Sequence, residues 1–189
     1  MKTLYYVPMV HTPEELGSLN EAIMKTQEAL IGKARTEELL DKVAKFWEEV
    51  KKIIEASGFY QPEIASTLNI FADGLPNFEV EKVNKIVKNS IRIPVYQIIE
   101  RLQKAGAKVW GTEDYKLLLK EYRYWQDISQ GKGADPLVAE KILKARDRAI
   151  SKRIHEIMEE ENEGASAILF MGYVHKVKDL LIGFEIVNL

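Results

Sequence analysis

Ala167-Ile-Leu-Phe-Met171 is a run of five apolar residues, bounded by a polar stretch before it and by Gly172 after it. A run this short, with no polar side, reads as a strand buried on both faces, the kind found in parallel sheets. Gly172 lets the backbone turn sharply where the strand stops. His175 follows three residues later, in the first turn of an expected short helix. In open α/β sheets the space beyond the carboxyl end of a strand is where ligands bind. The remaining chain can therefore be searched for polar side chains sent to the same edge.

Four further strands are expected. Leu4-Tyr-Tyr-Val-Pro-Met-Val10 is rich in β-formers and ends at His11, after which Thr12 can cap a helix that has Pro13 at its first position. Pro8 donates no ladder hydrogen bond, so it marks a bulge or the place where pairing stops. Leu68-Asn-Ile-Phe-Ala72 ends in Asp73-Gly74, Ala107-Lys-Val-Trp110 ends in Gly111-Thr112-Glu113-Asp114, and Gly183 to Leu189 closes the chain.

The stretches between them have helical periodicity. Residues from Pro13 to about Ser57 are helical twice over, with a break at Gly32 and a restart at Thr36. Leu39, Leu40, Val43, Phe46, Trp47, Val50, Ile53 and Ile54 recur at helical intervals and form a core stripe. Shorter helices are expected from about Glu79 to Lys88, from Pro94 to near Gly106 and from Lys116 to Trp125. A long one runs from about Pro136 to Glu160. Five short strands alternating with helices give an α/β fold: a largely parallel central sheet with helices on both faces, in one domain spanning residues 1–189.

Charge and composition narrow the partners. With 27 basic and 29 acidic residues the formal net charge is -2, which argues against a nucleic-acid or anionic-membrane partner held by bulk charge. The absence of cysteine excludes disulfides, cysteine nucleophiles and Cys-based zinc sites. The first apolar run is too short for a signal peptide or membrane helix, so a soluble, cytoplasmic protein is expected. The 30% of charged residues, weighted to Lys and Glu, together with no Cys, is a composition common in thermophiles. Self-association into a homo-oligomer is compatible with the sequence and not specified by it.

In a parallel sheet all carboxyl ends share one side, so His11, Asp73, Glu113, Asp114 and His175 are potential neighbours. Imidazoles and carboxylates together suit a divalent transition metal, or general acid/base chemistry near neutral pH. Each residue also has a plain structural role open to it. Glu113 and Asp114 can serve a helix dipole, Asp73 before Gly74 can make a turn, and either histidine can hydrogen-bond a loop. Ile142, Arg146, Ile150 and Ile154 share one helical row, so Arg146 points toward the body of the protein and must be paired, or lay its stem on the core and reach water. His155, in a charged stretch, reads as a solvated surface residue. Tyr115, Tyr122 and Trp125 can shape one wall of a site, and Tyr173 beside the strand end can contact substrate.

The segment Ala145-Arg-Asp-Arg-Ala-Ile-Ser-Lys-Arg-Ile154, followed about a dozen residues later by Ile168-Leu-Phe-Met-Gly-Tyr-Val-His175, resembles the closing signature of the TraB/Tiki-like family, related to ChaN and erythromycin esterase. In that family an Arg-Asp/Asn helix precedes a strand ending in Gly-x-x-His, the first strand also ends in Gly-x-x-His, and the second ends in an acidic residue, usually glutamate. Here Pro8-Met-Val-His11 stands at the first place, with proline for glycine, and Asp73 at the second.

The resemblance implies an α/β fold of the erythromycin esterase, ChaN and Tiki type, with a polar site of His11, Asp73, Arg146 and His175. Tiki-type members are described as metal-dependent proteases and erythromycin esterases as hydrolases with a histidine base, while many TraB-like members have no assigned activity. The first expectation is thus a hydrolase of a peptide or ester bond in a peptide or small-molecule substrate. His11, His175 and Asp73 would ligate Mn, Co or Zn or polarise water directly. Arg146 would stabilise negative charge or orient a carboxylate, and Glu113, Asp114, Tyr115 and Tyr173 would contact substrate. The second is a non-catalytic protein that binds a small ligand or a metal on the same scaffold.

Overall fold

The computed structural model describes residues 1–12, 20–133 and 135–189. Its elements are β1 (Lys2–Met9), α1 (Asn20–Ile31), α2 (Lys33–Ala56), α3 (Pro62–Ala65), β2 (Leu68–Ala72), α4 (Val80–Asn89), α5 (Pro94–Ala105), β3 (Lys108–Trp110), α6 (Tyr115–Ser129), α7 (Pro136–Glu160), β4 (Ser166–Gly172), a 3-10 turn (Val177–Leu180) and β5 (Phe184–Asn188). All five strands pair in parallel, in the order β3-β2-β4-β1-β5. This is the α/β fold that the apolar runs imply. The expected helix start at Thr12 and Pro13 falls on 13–19, outside the described residues.

Alternation along the central strands divides the core into two layers. Val7, Met9, Ile70, Ala72, Ile168 and Phe170 face Trp47, Val50 and Ile54 of α2 together with residues of α4 and α5. Leu4, Tyr6, Phe71, Ala167, Leu169 and Met171 face Ile150, Ile154, Ile157 and Met158 of α7, along with Val177 and Leu181. Every residue of β4 from Ala167 to Gly172 is buried, which is why its sequence shows no polar side. Each fully buried Leu, Ile or Phe contributes about 1.5–3 kcal/mol, so this strand is a principal source of stability.

The pairing register explains Pro8. Tyr6 accepts a hydrogen bond from Leu189 N at 3.0 Å, so even-numbered residues of β1 turn their backbone groups toward β5. The last β1–β5 pair is Tyr6 with Asn188, so Pro8, two residues on, faces the side where that partner strand has run out. Its missing N–H costs no ladder bond, and its register with Met171 of β4 is undisturbed.

Several boundaries differ from expectation. The second helix restarts at Lys33 with Gly32 as its N-cap, because the glycine's φ of 83° makes the break; Thr36 lies inside and donates its hydroxyl to Gly32 O. Leu39 and Ile53 are exposed, since the buried row runs through Thr36, Trp47, Val50 and Ile54. The four-residue helix α3 has no counterpart in the periodicity. No helix among the described residues is long and apolar enough to cross a membrane.

Candidate functional site

Strand order brings the site together. β4 lies between β2 and β1, so the turn after Gly172 has the end of β2 on one side and the end of β1 on the other. The packing also shows that the chain leaves β1 and β2 toward one face of the sheet and leaves β4 toward the other. A crevice opens beyond strand ends where neighbouring connections part in this way.

Each residue reaches the crevice through a specific anchor. Trp47 Nε1 donates to Val10 O at 3.1 Å and so fixes the backbone just before His11. Asp73 N donates to Phe170 O at 2.8 Å, extending the β2–β4 ladder by one residue and holding Asp73 at the edge. Gly111 lets two loops touch: a Cβ there would lie 1.8 Å from Pro76 O. That approach lets Thr112 N and Glu113 N both donate to Leu75 O, which turns Glu113 inward. His175 N donates to Gly172 O at 3.0 Å, making a tight turn that precedes the 3-10 turn; His175 is therefore not in a helix as expected.

Gly172 is the floor. A Cβ there would stand 2.6 Å from Asp73 Oδ2, 3.0 Å from His11 Nε2 and 3.5 Å from His175 Cδ2. Its N–H donates to Asp73 Oδ2 at 3.1 Å. The same Oδ2 lies 3.4 Å from His11 Nε2 and 3.4 Å from His175 Nε2. His175 Nδ1 sits 2.5 Å from Asp147 Oδ1, and Asp147 Oδ2 accepts from Lys176 N at 3.0 Å. Asp147 thus assigns the ring proton to Nδ1 and turns Nε2 toward Asp73.

Arg146 ties together the carboxylates of three other elements. Its Nη2 donates to Asp73 Oδ1 at 2.7 Å and Glu113 Oε1 at 2.5 Å, its Nε to Glu113 Oε2 at 3.1 Å, and its Nη1 to Glu121 Oε2 at 2.5 Å. The expectation that Arg146 points inward holds. Its expected duty toward a developing charge or a substrate carboxylate does not fit this geometry, because the guanidinium is committed to the protein's own carboxylates. Burial works against its charge, but Glu113, Asp73 and Glu121 outweigh that and raise its pKa further.

The two buried carboxyls split in opposite directions. Burial opposes the charge on Asp73, yet His11, His175 and Arg146 together hold it well below the usual carboxylate range. Burial pushes Glu113 up to about 7, against the pull of Arg146 and with the help of the Asp73 charge. Two acids that share one guanidinium behave in this way: one stays ionised and the other keeps its proton more easily. Burial lowers the pKa of His175, but Asp147 and Asp73 more than compensate, and the net shift is upward.

Metal-ligand chemistry is available here. Asp73, Glu113 and His175, all buried, each offer one ligand atom within 4.8 Å of the others, a group that can hold a metal ion. Glu113 thus stands in the group where His11 was expected; His11 lies beside it, with Nε2 3.4 Å from Asp73 Oδ2, and is not one of the three. Beside the cluster, His11 and Asp73 form one end of a cleft of about 260 Å³ whose walls come from Met9, Ser90, Ile93, Val95 and Tyr96.

Other expected residues lie elsewhere. Asp114 is the N-cap of α6, its Oδ1 accepting from Lys116 N at 2.7 Å and Leu117 N at 3.2 Å, so Thr112 is not the cap; the Thr112 hydroxyl donates to Ala72 O instead. Tyr115 packs against Phe78 with ring centroids 5.3 Å apart, and Tyr122 and Trp125 are exposed along α6. Tyr173 is 86% exposed. None of these tyrosines, nor Trp125, lines the cleft. His155 is not a solvated surface group: its ring nitrogens meet Ser151 O at 2.8 Å and Ile182 O at 3.0 Å, and its ring packs on Phe184.

Sequence reasoning missed Asp147, Glu121 and the steric role of Gly172. For Asp147 a signal existed, because Asp147, Ser151, Ile154 and Met158 recur at helical spacing and form a second buried row on α7. Glu121 carried none, since α6 has no buried residue to mark an inner face. No protein-family model, curated protein or solved structure matches this chain.

Proposed function

We propose that the chain is a hydrolase of the TraB/Tiki-like type, acting on a peptide or ester bond, in which His11, Asp73 and His175 hold a divalent metal ion or polarise a water directly. One observation supports this most: Asp73 Oδ2 faces the Nε2 atoms of two imidazoles at 3.4 Å each. That distance is too long for a strong hydrogen bond. It matches the edge between two ligands of a tetrahedral ion with bonds of about 2.1 Å. With Asp147 taking the Nδ1 proton of a neutral His175, Nε2 and Asp73 Oδ2 are both acceptors, and a cation between them would replace the Nε2 proton. A carboxylate behind a ligating imidazole is the usual outer support of such sites.

A divalent ion there would act as a Lewis acid toward a carbonyl oxygen and supply a nucleophile near neutral pH. The chain's own residues do the rest. Asp147 orients His175, so that its Nε2 would ligate the ion or, with no ion bound, take a proton from an attacking water. Arg146 and Gly172 N clamp the Asp73 carboxylate, which keeps Oδ2 directed at both imidazoles. A second reading, a non-catalytic metal or small-ligand binder, is favoured by the commitment of four of the five Arg146 N–H groups to internal carboxylates.

The test is to strip the protein with a chelator, reload it with Mn, Co or Zn, and measure calorimetric binding and hydrolysis of an ester and peptide panel. The hydrolase reading expects saturable binding and metal-stimulated turnover, with both His175→Ala and Asp147→Asn lowering the rate about 10²–10⁴-fold. An unchanged rate in His175→Ala would overturn it. Binding without turnover on any substrate selects the second reading.

A further inference from the structure

We infer that the cleft beside His11 and Asp73 seats an uncharged apolar group of the substrate, one hydrophobic side chain or short acyl chain, and that the site rejects anions. The inference rests on the reading of His11, Asp73 and His175 as the reacting centre. Two independent features carry it, the cleft wall and the charge around the cluster.

The wall is formed by Met9, Ile93, Val95 and Tyr96; Ser90 and the Tyr96 hydroxyl are its polar groups apart from His11 and Asp73. Met9 and Val95 are buried and Ile93 is half-buried, so the mouth is apolar as well as the floor. At about 260 Å³ the space falls below the roughly 300–1,000 Å³ of clefts that engulf drug-sized ligands, and it suits one side chain. Among the described residues no lysine or arginine lines it; Arg92, the cation next to Ile93 in the chain, is exposed and lies outside the lining.

Around the cluster stand the carboxylates of Asp73, Glu113, Glu121 and Asp147, and the one arginine among them already donates to three. With Glu113 neutral, the carboxylates of Asp73, Glu121 and Asp147 balance Arg146 together with either two charged imidazoles or a divalent ion held by neutral ones. With those three carboxylates ionised, no surplus of positive charge is left for an anionic substrate. An acidic side chain entering the cleft would shed its hydration against apolar walls and face carboxylates at the far end.

Ligand-observed saturation-transfer NMR on the full chain tests this with three probes of one shape: N-acetyl-leucinamide (neutral), N-acetyl-leucine (anionic) and leucinamide (cationic). The neutral probe is expected to bind at millimolar concentration with saturation concentrated on the leucine methyl groups, and the anion at least tenfold more weakly. Ile93→Trp, which fills the mouth from a half-buried position, should weaken the neutral probe at least tenfold. Equal or tighter binding of the anion, no detectable binding of the neutral probe, or indifference to Ile93→Trp in a folded variant would each overturn the inference. The probe series uses the unaltered protein, so it decides the matter whatever the variant does to folding. Selective binding without hydrolysis of any substrate sinks the hydrolase reading alone; hydrolysis with binding indifferent to charge sinks this inference alone.

Discussion

Arg146→Met should be among the most damaging single changes in the chain, and the size of the effect follows from its contacts. The guanidinium is 5% exposed and donates to Asp73, Glu113 and Glu121, of which Asp73 and Glu113 are themselves buried. Methionine keeps the apolar stem and removes the charge, leaving two carboxyls close together in a low-dielectric interior. Removing one partner of a buried ion pair costs about 3–5 kcal/mol, because the charge left behind is unpaired. Glu121 adds little to that figure, since its side chain is partly solvated. For a chain of this length the loss corresponds to about 6–20 °C in Tm.

Urea titration followed by circular dichroism at pH 5 and pH 8 would measure it. The deficit should be larger at pH 8, because the orphaned carboxyls can take up protons at pH 5. Adding Glu113→Gln to Arg146→Met should return at least about 1 kcal/mol, since neighbours in one network are not additive. A loss below about 1 kcal/mol, or a loss equal at both pH values, would refute the reading of Arg146 as the counter-charge on which the buried carboxyls depend.

Stability should fall as pH rises from mildly acid to alkaline. Glu113 has a folded pKa of about 7 against 4.5 for the free group, so the folded state binds more protons across that window and loses stability through it; Glu113→Gln should flatten the slope between pH 4.5 and 7 in a series of thermal melts. The raised pKa of His175 acts in the same sense from pH 6.5 upward. Depression of Asp73 has the opposite sign: its contribution is present above the ordinary carboxylate range and disappears only in stronger acid. Gly172→Ala should cost about 2–4 kcal/mol, from overpacking against Asp73 and strain on the N–H bond to it, and should abolish metal binding. Gly164→Ala, where nothing lies within 4 Å, is the control and should stay within about 1 kcal/mol of the parent in the same denaturation assay.

The elements were largely readable in the sequence and their neighbours were not. Apolar runs such as Leu68–Ala72 and Ala167–Met171 locate strands because burial on both faces leaves no room for a polar side chain. The insertion of β4 between β2 and β1 is a tertiary choice that no local pattern records, and the meeting of Asp73 and His11 across Gly172 depends on it. Glu113 and Asp114 show the same limit at single-residue scale. Both suit a helix start by residue type, and only the Pro76–Glu113 bridge decides that one turns into the core while its neighbour caps α6. The aromatic side chains of α6 are adjacent in sequence, but none of them lines the cleft beside His11 and Asp73.

The placement of β4 also bears on how the chain assembles during synthesis. Until residues 166–172 have emerged, β1 has neither of its hydrogen-bonded neighbours, and β2 has only the three residues of β3. A nascent chain halted before that point holds β1 unpaired and apart from the β2–β3 pair. Synthesis of residues 166–175 must then supply both the wedge that joins them and the loop that carries His175. Late, long-range closure of this kind favours slow folding and gives chaperones a window in which to act.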